Sequence, residues 1–222
     1  MFIGTGIKKM DKLLGGGFPG KTTVLVSGGP GSGKTLFAMN FLMEGILKKE
    51  RCCYVSLNET KEELLRASKG IEALSTMEKY VGKNFAIEHI PLGENITMKK
   101  FIDIIASYPK LDRLVIDNVN KLLIFAENER SYRIHLSELV KSLRQMGCTL
   151  LICETRGEHI DTGNGESFEC DGVLSLSFLE LEEKPQRIMT VHKMRYASFE
   201  PKVPHEIVID SKEIRITETK II

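Results

Sequence analysis

Apolar and polar positions along the chain fall into two alternating textures. TTVLVS (22–27), CCYVSL (52–57), FAIEHI (85–90), RLVID (113–117) and CTLLICE (148–154) are short, mostly apolar runs. Runs of that length and texture are strands buried on both faces. Between them, LFAMNFLMEGILKK (36–49) spreads Leu36, Met39, Phe41, Met43, Ile46 and Leu47 over a broad helical surface and closes on lysines, as a helix C-terminus prefers. KEELLRASKGI, MKKFIDIIASY and SYRIHLSELVKSLRQM continue the helical period, and Thr60 with Glu63 has the spacing of a reciprocal N-terminal cap. Strand and helix in alternation predict an α/β fold with a doubly wound, mostly parallel sheet.

After Asp171 the texture changes. GVLSLSFLEL, RIMTVHKMR and HEIVID read as successive strands joined by polar turns such as EEKPQ, which predicts a C-terminal antiparallel strand extension. The segment GEHIDTGNGESFE (157–169) has three glycines and little apolar content, and is expected to be a mobile loop. Gly15 to Gly17 suit a turn before the first core strand; without a following Lys-Ser/Thr they do not form a phosphate loop. At 222 residues, the chain fits one domain spanning 1–222.

Charge and cysteines narrow the functional classes. With 31 basic and 30 acidic residues, the formal net charge is +1, so no global field draws the chain to nucleic acid, and DNA binding would need a local patch. Cys52, Cys53, Cys148, Cys153 and Cys170 are odd in number, lie mostly in apolar runs and lack zinc-site spacing. Reduced, buried thiols are expected, with Cys52 and Cys53 on opposite faces of one strand. The N-terminus has no signal-peptide pattern, and no apolar run reaches membrane-spanning length; a cytoplasmic protein without membrane contact is expected.

The chemistry concentrates in GGPGSGKT, from Gly28 to Thr35, between a predicted strand and a predicted helix. A triphosphate needs many donors converging on a compact charge, and a glycine-rich turn ahead of a helix N-terminus supplies them. The expected nucleotide-binding set is Gly28, Gly29, Pro30, Gly31, Ser32, Gly33, Lys34, Thr35 and Leu36, with Lys34 on the β- and γ-phosphates and the Thr35 hydroxyl on Mg²⁺. A nucleoside triphosphate with Mg²⁺ is the implied ligand, and a loop that grips phosphates leaves the base open. Asp117, ending the LVID strand, is the expected Walker B carboxylate and the second metal-site residue. Glu59, in LNET at another strand end, is placed to orient or deprotonate the attacking water, or to stabilise the helix that starts beside it.

TGIKKMDKLLGGGFPGKTTVLVSGGPGSGKTLFAMNFL resembles the opening of KaiC-like ATPases, the single-domain branch of the RecA/RadA superfamily. YVSLNET, LVID before Asn118, CDGVLSL (170–176) and HKMR (192–195) match the same family in consistent order, so the resemblance covers nearly the whole chain. It implies a RecA-like core that assembles head to tail into rings, commonly hexamers, with ATP between subunits. It also implies that Lys193 and Arg195, matching the family's K-x-R pair, reach toward the neighbour's γ-phosphate. One departure stands out: the family usually carries two adjacent glutamates after the second strand, and this chain has Asn58 before Glu59. An amide positions water but cannot accept its proton. Three readings stay open: a slow ATPase whose nucleotide state controls ring assembly and binding of unidentified protein partners, a recombinase paralogue acting on DNA, and a nucleotide-dependent scaffold. The 156–170 loop, with Glu158, Asp161, Glu166 and Glu169 against Arg156, disfavours phosphate contact. No timekeeping role follows from the resemblance.

Overall fold

A computed structural model describes residues 1–93, 96–157, 159–180 and 184–220; Glu158 and the start of the EEKPQ turn lie outside the described residues. The chain begins with β1 (Phe2–Ile3), α1 (Lys8–Leu13) and β2 (Phe18–Pro19), β1 and β2 forming a small antiparallel ladder. It then runs through β3 (Thr22–Gly28), α2 (Lys34–Leu47), β4 (Cys52–Ser56), α3 (Lys61–Ser68), β5 (Phe85–His89), α4 (Met98–Ser107) and β6 (Arg113–Asp117). There follow α5 (Glu129–Leu143), β7 (Cys148–Glu154), the short α6 (Glu166–Glu169), β8 (Gly172–Leu179), β9 (Gln186–Met194), β10 (Pro204–Ile209) and β11 (Ile214–Lys220).

The main sheet has the order β11-β10-β9-β8-β3-β7-β6-β4-β5. Strands β8, β3, β7, β6, β4 and β5 are parallel, and β9, β10 and β11 add on as antiparallel neighbours beyond β8. This is the RecA-like α/β architecture with the antiparallel extension that the change of texture after Asp171 predicts. A core lies on each face: Phe37, Phe41 and Leu42 of α2 fill one with Val24, Val26 and Tyr54, while Phe101 and Ile105 of α4 and Leu136 and Leu139 of α5 fill the other. Cys52 belongs to the first core and Cys53 to the second, as strand alternation requires. All five cysteines are free and buried, and burial pushes the thiols of Cys52, Cys53 and Cys148 up to about 12. They are inert as thiolates at neutral pH.

The predicted cap on α3 is present in both directions: Glu63 N donates to Thr60 Oγ1, and Thr60 N to Glu63 Oε2 at 2.8 Å. The described part of the 157–169 segment contains the short α6 and a set of polar anchors. Glu166 within it is fully buried and accepts from Tyr132 OH at 3.1 Å and Thr162 Oγ1 at 2.6 Å, while Asp161 accepts from Ser167 N and Oγ. Polar side chains anchor this segment where apolar ones are scarce, a signal that hydropathy does not carry.

Arg113 binds the N-terminal segment to the sheet. Its guanidinium is fully buried, meets Glu50 at 2.5 Å, donates to Gly4 O at 2.6 Å and Phe41 O at 2.7 Å, and stacks over the Phe41 ring. Removing the guanidinium opens a cavity beside Phe41 and takes the donor from Gly4 O, while Glu50, 30% exposed, returns to water. Arg113→Ala is expected to cost on the order of 3 kcal/mol in urea unfolding. A midpoint shift near zero would contradict this anchoring role.

Candidate nucleotide site

Parallel register brings four strand ends to one edge of the sheet. Gly28 pairs with Glu154, and Asp117 pairs with Ser56 on one side and Ile152 on the other. The loop from Gly29 to Gly33 leaves β3 at this edge and α2 starts at Lys34, so the helix N-terminus points its unpaired N–H groups into the same space. Two of its glycines are sterically required. Gly28 has φ 155° and a Cβ there would strike Leu176 O; Gly33 caps α2 in the left-handed region at φ 101°, where a Cβ would strike Ile209. Ser32 Oγ is buried without a hydrogen-bond partner among the described residues, as suits a hydroxyl in a loop that would hold phosphate. Pro30 and Gly31 are exposed, and Leu36 is half-buried against the α2-side core.

Lys34, Thr35 and Asp117 come together at this edge. Lys34 Nζ donates to Gly29 O at 2.8 Å; its burial lowers its pKa, against the opposing pull of Glu154 and Asp117. Thr35 Oγ1 donates to Asp117 Oδ2 at 3.2 Å. Asp117 is only 9% exposed, and burial raises its pKa while hydrogen bonds from Tyr54 and Thr35 and the charge of Lys34 lower it. A hydroxyl and a carboxylate in contact beside a lysine form a hard-oxygen donor pair suited to Mg²⁺.

Asn58 and Glu59 diverge. Asn58 is exposed, its N–H on Ser56 Oγ at 3.3 Å, whereas Glu59 is half-buried and its pKa is raised by burial and then by Asp117 and Glu63. Glu59 therefore shares the electrostatic environment of the site. Glu154 escapes sequence reasoning although it ends an apolar strand as visibly as Asp117 does. Its backbone is held by Asn120 in both directions, at 3.1 and 3.2 Å, and its charge, with that of Asp117, opposes the effect of burial on Lys34.

Lys193 and Arg195 lie elsewhere. Lys193 pairs with Val173, which pairs with Leu25, three positions before Gly28 on β3 and so roughly 10 Å toward the opposite edge. Its ammonium donates to the carbonyls of Ser167 at 3.1 Å, Phe168 at 3.3 Å and Cys170 at 2.6 Å, closing the C-terminal end of α6. Arg195 pairs with Asp171 at 3.3 Å. Neither has a hydrogen bond or ion pair with the Gly28–Thr35 loop of its own chain among the described residues.

The family of ATPases described as KaiC matches residues 3–221. The chain belongs to the KaiC ATPase family. A nucleotide-binding ATPase domain is what this membership gives. Among relatives of this KaiC-family chain, a UPF0273 protein of Pyrococcus furiosus is 28% identical over 99% of this chain and 95% of its own length. The circadian clock protein KaiC2 of Synechocystis is 31% identical over 86% of this chain but only 36% of its own, longer sequence. The solved structure of a KaiC-like protein from Pyrococcus horikoshii superposes with a TM-score of 0.84 at 31% identity, covering 98% of this chain and 99% of that one. No helix among the described residues is long and apolar enough to cross a membrane.

Proposed function

We propose that this KaiC-family chain binds ATP or ADP with Mg²⁺ at the loop edge, hydrolyses ATP slowly, and does so between subunits of a ring, commonly of six. Nucleotide state would then set ring assembly and the binding of protein partners. The observation that carries this reading is the separation within one chain: Lys34, Thr35 and Asp117 stand at one edge of the sheet, Lys193 and Arg195 toward the other. A site using all of them needs two copies.

Each residue has a distinct task in that reading. The loop N–H groups and Lys34 hold the phosphates, Thr35 and Asp117 hold the metal, and Glu59 accepts a proton from the attacking water. Mg²⁺ when bound offsets charge on the β- and γ-phosphates. Arg195 and Lys193 of a neighbouring copy would add positive charge where negative charge develops during transfer. A ligand held between two copies stabilises their association by linkage. Light scattering after size exclusion is expected to show a ring with ATP and Mg²⁺ and smaller species without; a monomer at high concentration with both present would sink the reading. Direct action on DNA is disfavoured by acidity: among the described residues Glu166 is interior, while Asp161 and Glu169 are partly open.

A further inference from the structure

Tyr54 sits in β4 with its side chain 1% exposed, packed in the core under α2. Its hydroxyl donates to Asp117 Oδ2 at 2.5 Å, the same oxygen that accepts from Thr35 Oγ1 at 3.2 Å. Phenylalanine would fill the same core space, so the added oxygen is justified only by what it contacts. Buried without a partner, a hydroxyl is costly; here its partner is the carboxylate of the candidate metal site. A carboxylate at a strand end turns easily about its last torsion, because that torsion is broad and two-fold. Two hydroxyls converging on one oxygen stop that rotation and leave the other oxygen to accept from water around a metal.

We propose that Tyr54 is a positioning residue of the metal site: its hydroxyl pins Asp117 Oδ2, so that Asp117 and Thr35 are presented together to Mg²⁺. This rests on the reading that Thr35 and Asp117 serve the metal accompanying the nucleotide. Tyr54, 1% exposed, is enclosed by the core and acts through Asp117, with the Thr35 hydroxyl beside its own. Because the phenol is packed in the core between the sheet and α2 and bonds to Asp117, it is no part of the loop that grips the phosphates. The metal-dependent and metal-free parts of nucleotide affinity should therefore separate.

The test uses the full chain and a fluorescent N-methylanthraniloyl ATP, titrated in EDTA and then with Mg²⁺, beside Mn²⁺ binding followed by electron paramagnetic resonance. Tyr54→Phe is expected to leave the EDTA affinity within about twofold of wild type and to raise the Mg²⁺ and Mn²⁺ half-saturation about tenfold, the scale of a hydrogen bond to a charged group. A merely structural tyrosine would lower the unfolding midpoint and both affinities together, which would overturn the proposal. Unchanged half-saturation would overturn it too. Asp117→Asn separates this from the underlying reading: if it keeps wild-type Mg²⁺ dependence, the metal-site assignment itself fails; if it loses it while Tyr54→Phe does not, only the role of Tyr54 fails. Should Tyr54→Phe not fold, 3-fluorotyrosine at position 54 decides. As a stronger donor of similar shape it is expected to lower the metal half-saturation, and no change would count against the proposal.

Discussion

Lys34→Ala loses ATP affinity by about a hundredfold or more, the scale of removing charge-assisted bonds from a phosphate site, while the unliganded protein unfolds at the wild-type midpoint. The lysine makes one bond within its own loop, to Gly29 O, and is absent from both apolar cores, so the fold does not need it. Its surroundings explain the size of the loss. Glu154 and Asp117 both act on Lys34, and without it their negative charge bears on the triphosphate with only Mg²⁺ to offset it. Binding of a fluorescent ATP analogue with and without Mg²⁺ measures the effect, and near-native affinity in a folded variant would remove the loop from the account.

The second large effect belongs to Glu59. Glu59→Gln is expected to lower turnover about 10²- to 10⁴-fold, the usual contribution of a general base, with ATP affinity unchanged because the loop and Mg²⁺ set it. Burial and the neighbouring Asp117 and Glu63 raise its pKa, so its carboxylate is a better proton acceptor than a free one. The base must be ionised to act. Turnover is thus expected to fall as pH drops through that raised value, an acid limb lying above the ordinary glutamate range. Asn58→Glu restores the family's adjacent pair, yet position 58 is exposed and its gain should be smaller than what Glu59→Gln removes. If neither substitution alters turnover in intact rings, the catalytic group does not reside at the end of β4; if wild type itself shows no turnover, the scaffold reading takes its place.

Most of the sheet is legible because strands buried on both faces leave uninterrupted apolar runs, as RLVID and CTLLICE do, and because the phosphate loop can be read only between a strand and a helix. β11 escapes that reading. IRITETK alternates, with Ile214 and Ile216 buried and polar residues between, the weaker mark of an edge strand. The N-terminal TG and Asp of the resemblance acquire a structural reason that spacing alone does not state: Thr5 donates twice to Asp11 Oδ1, at 2.7 Å through both N and Oγ1, and Thr5 O accepts from Asn40 of α2 at 3.3 Å. In the site, Lys34, Thr35 and Asp117 are legible as motif residues. Tyr54 and Glu154 are not, since their roles come from register between strands distant in sequence, which places Ser56 beside Asp117 and Gly28 beside Glu154. Glu166 is misread for a related reason, its burial depending on Tyr132 of α5.

That the site is completed by a second copy is the central claim, and subunit mixing tests it most directly. Lys34→Ala subunits lack a working loop but carry Arg195; Arg195→Ala subunits carry a working loop but lack the reaching arginine. Each alone is expected to be inactive. In randomly mixed rings about a quarter of the interfaces join an intact loop to an intact arginine, so turnover should return to roughly that share of wild type once hetero-oligomers are confirmed by mass. Confirmed mixed rings with no recovered turnover, or full activity in Arg195→Ala alone, would contradict a site shared between copies.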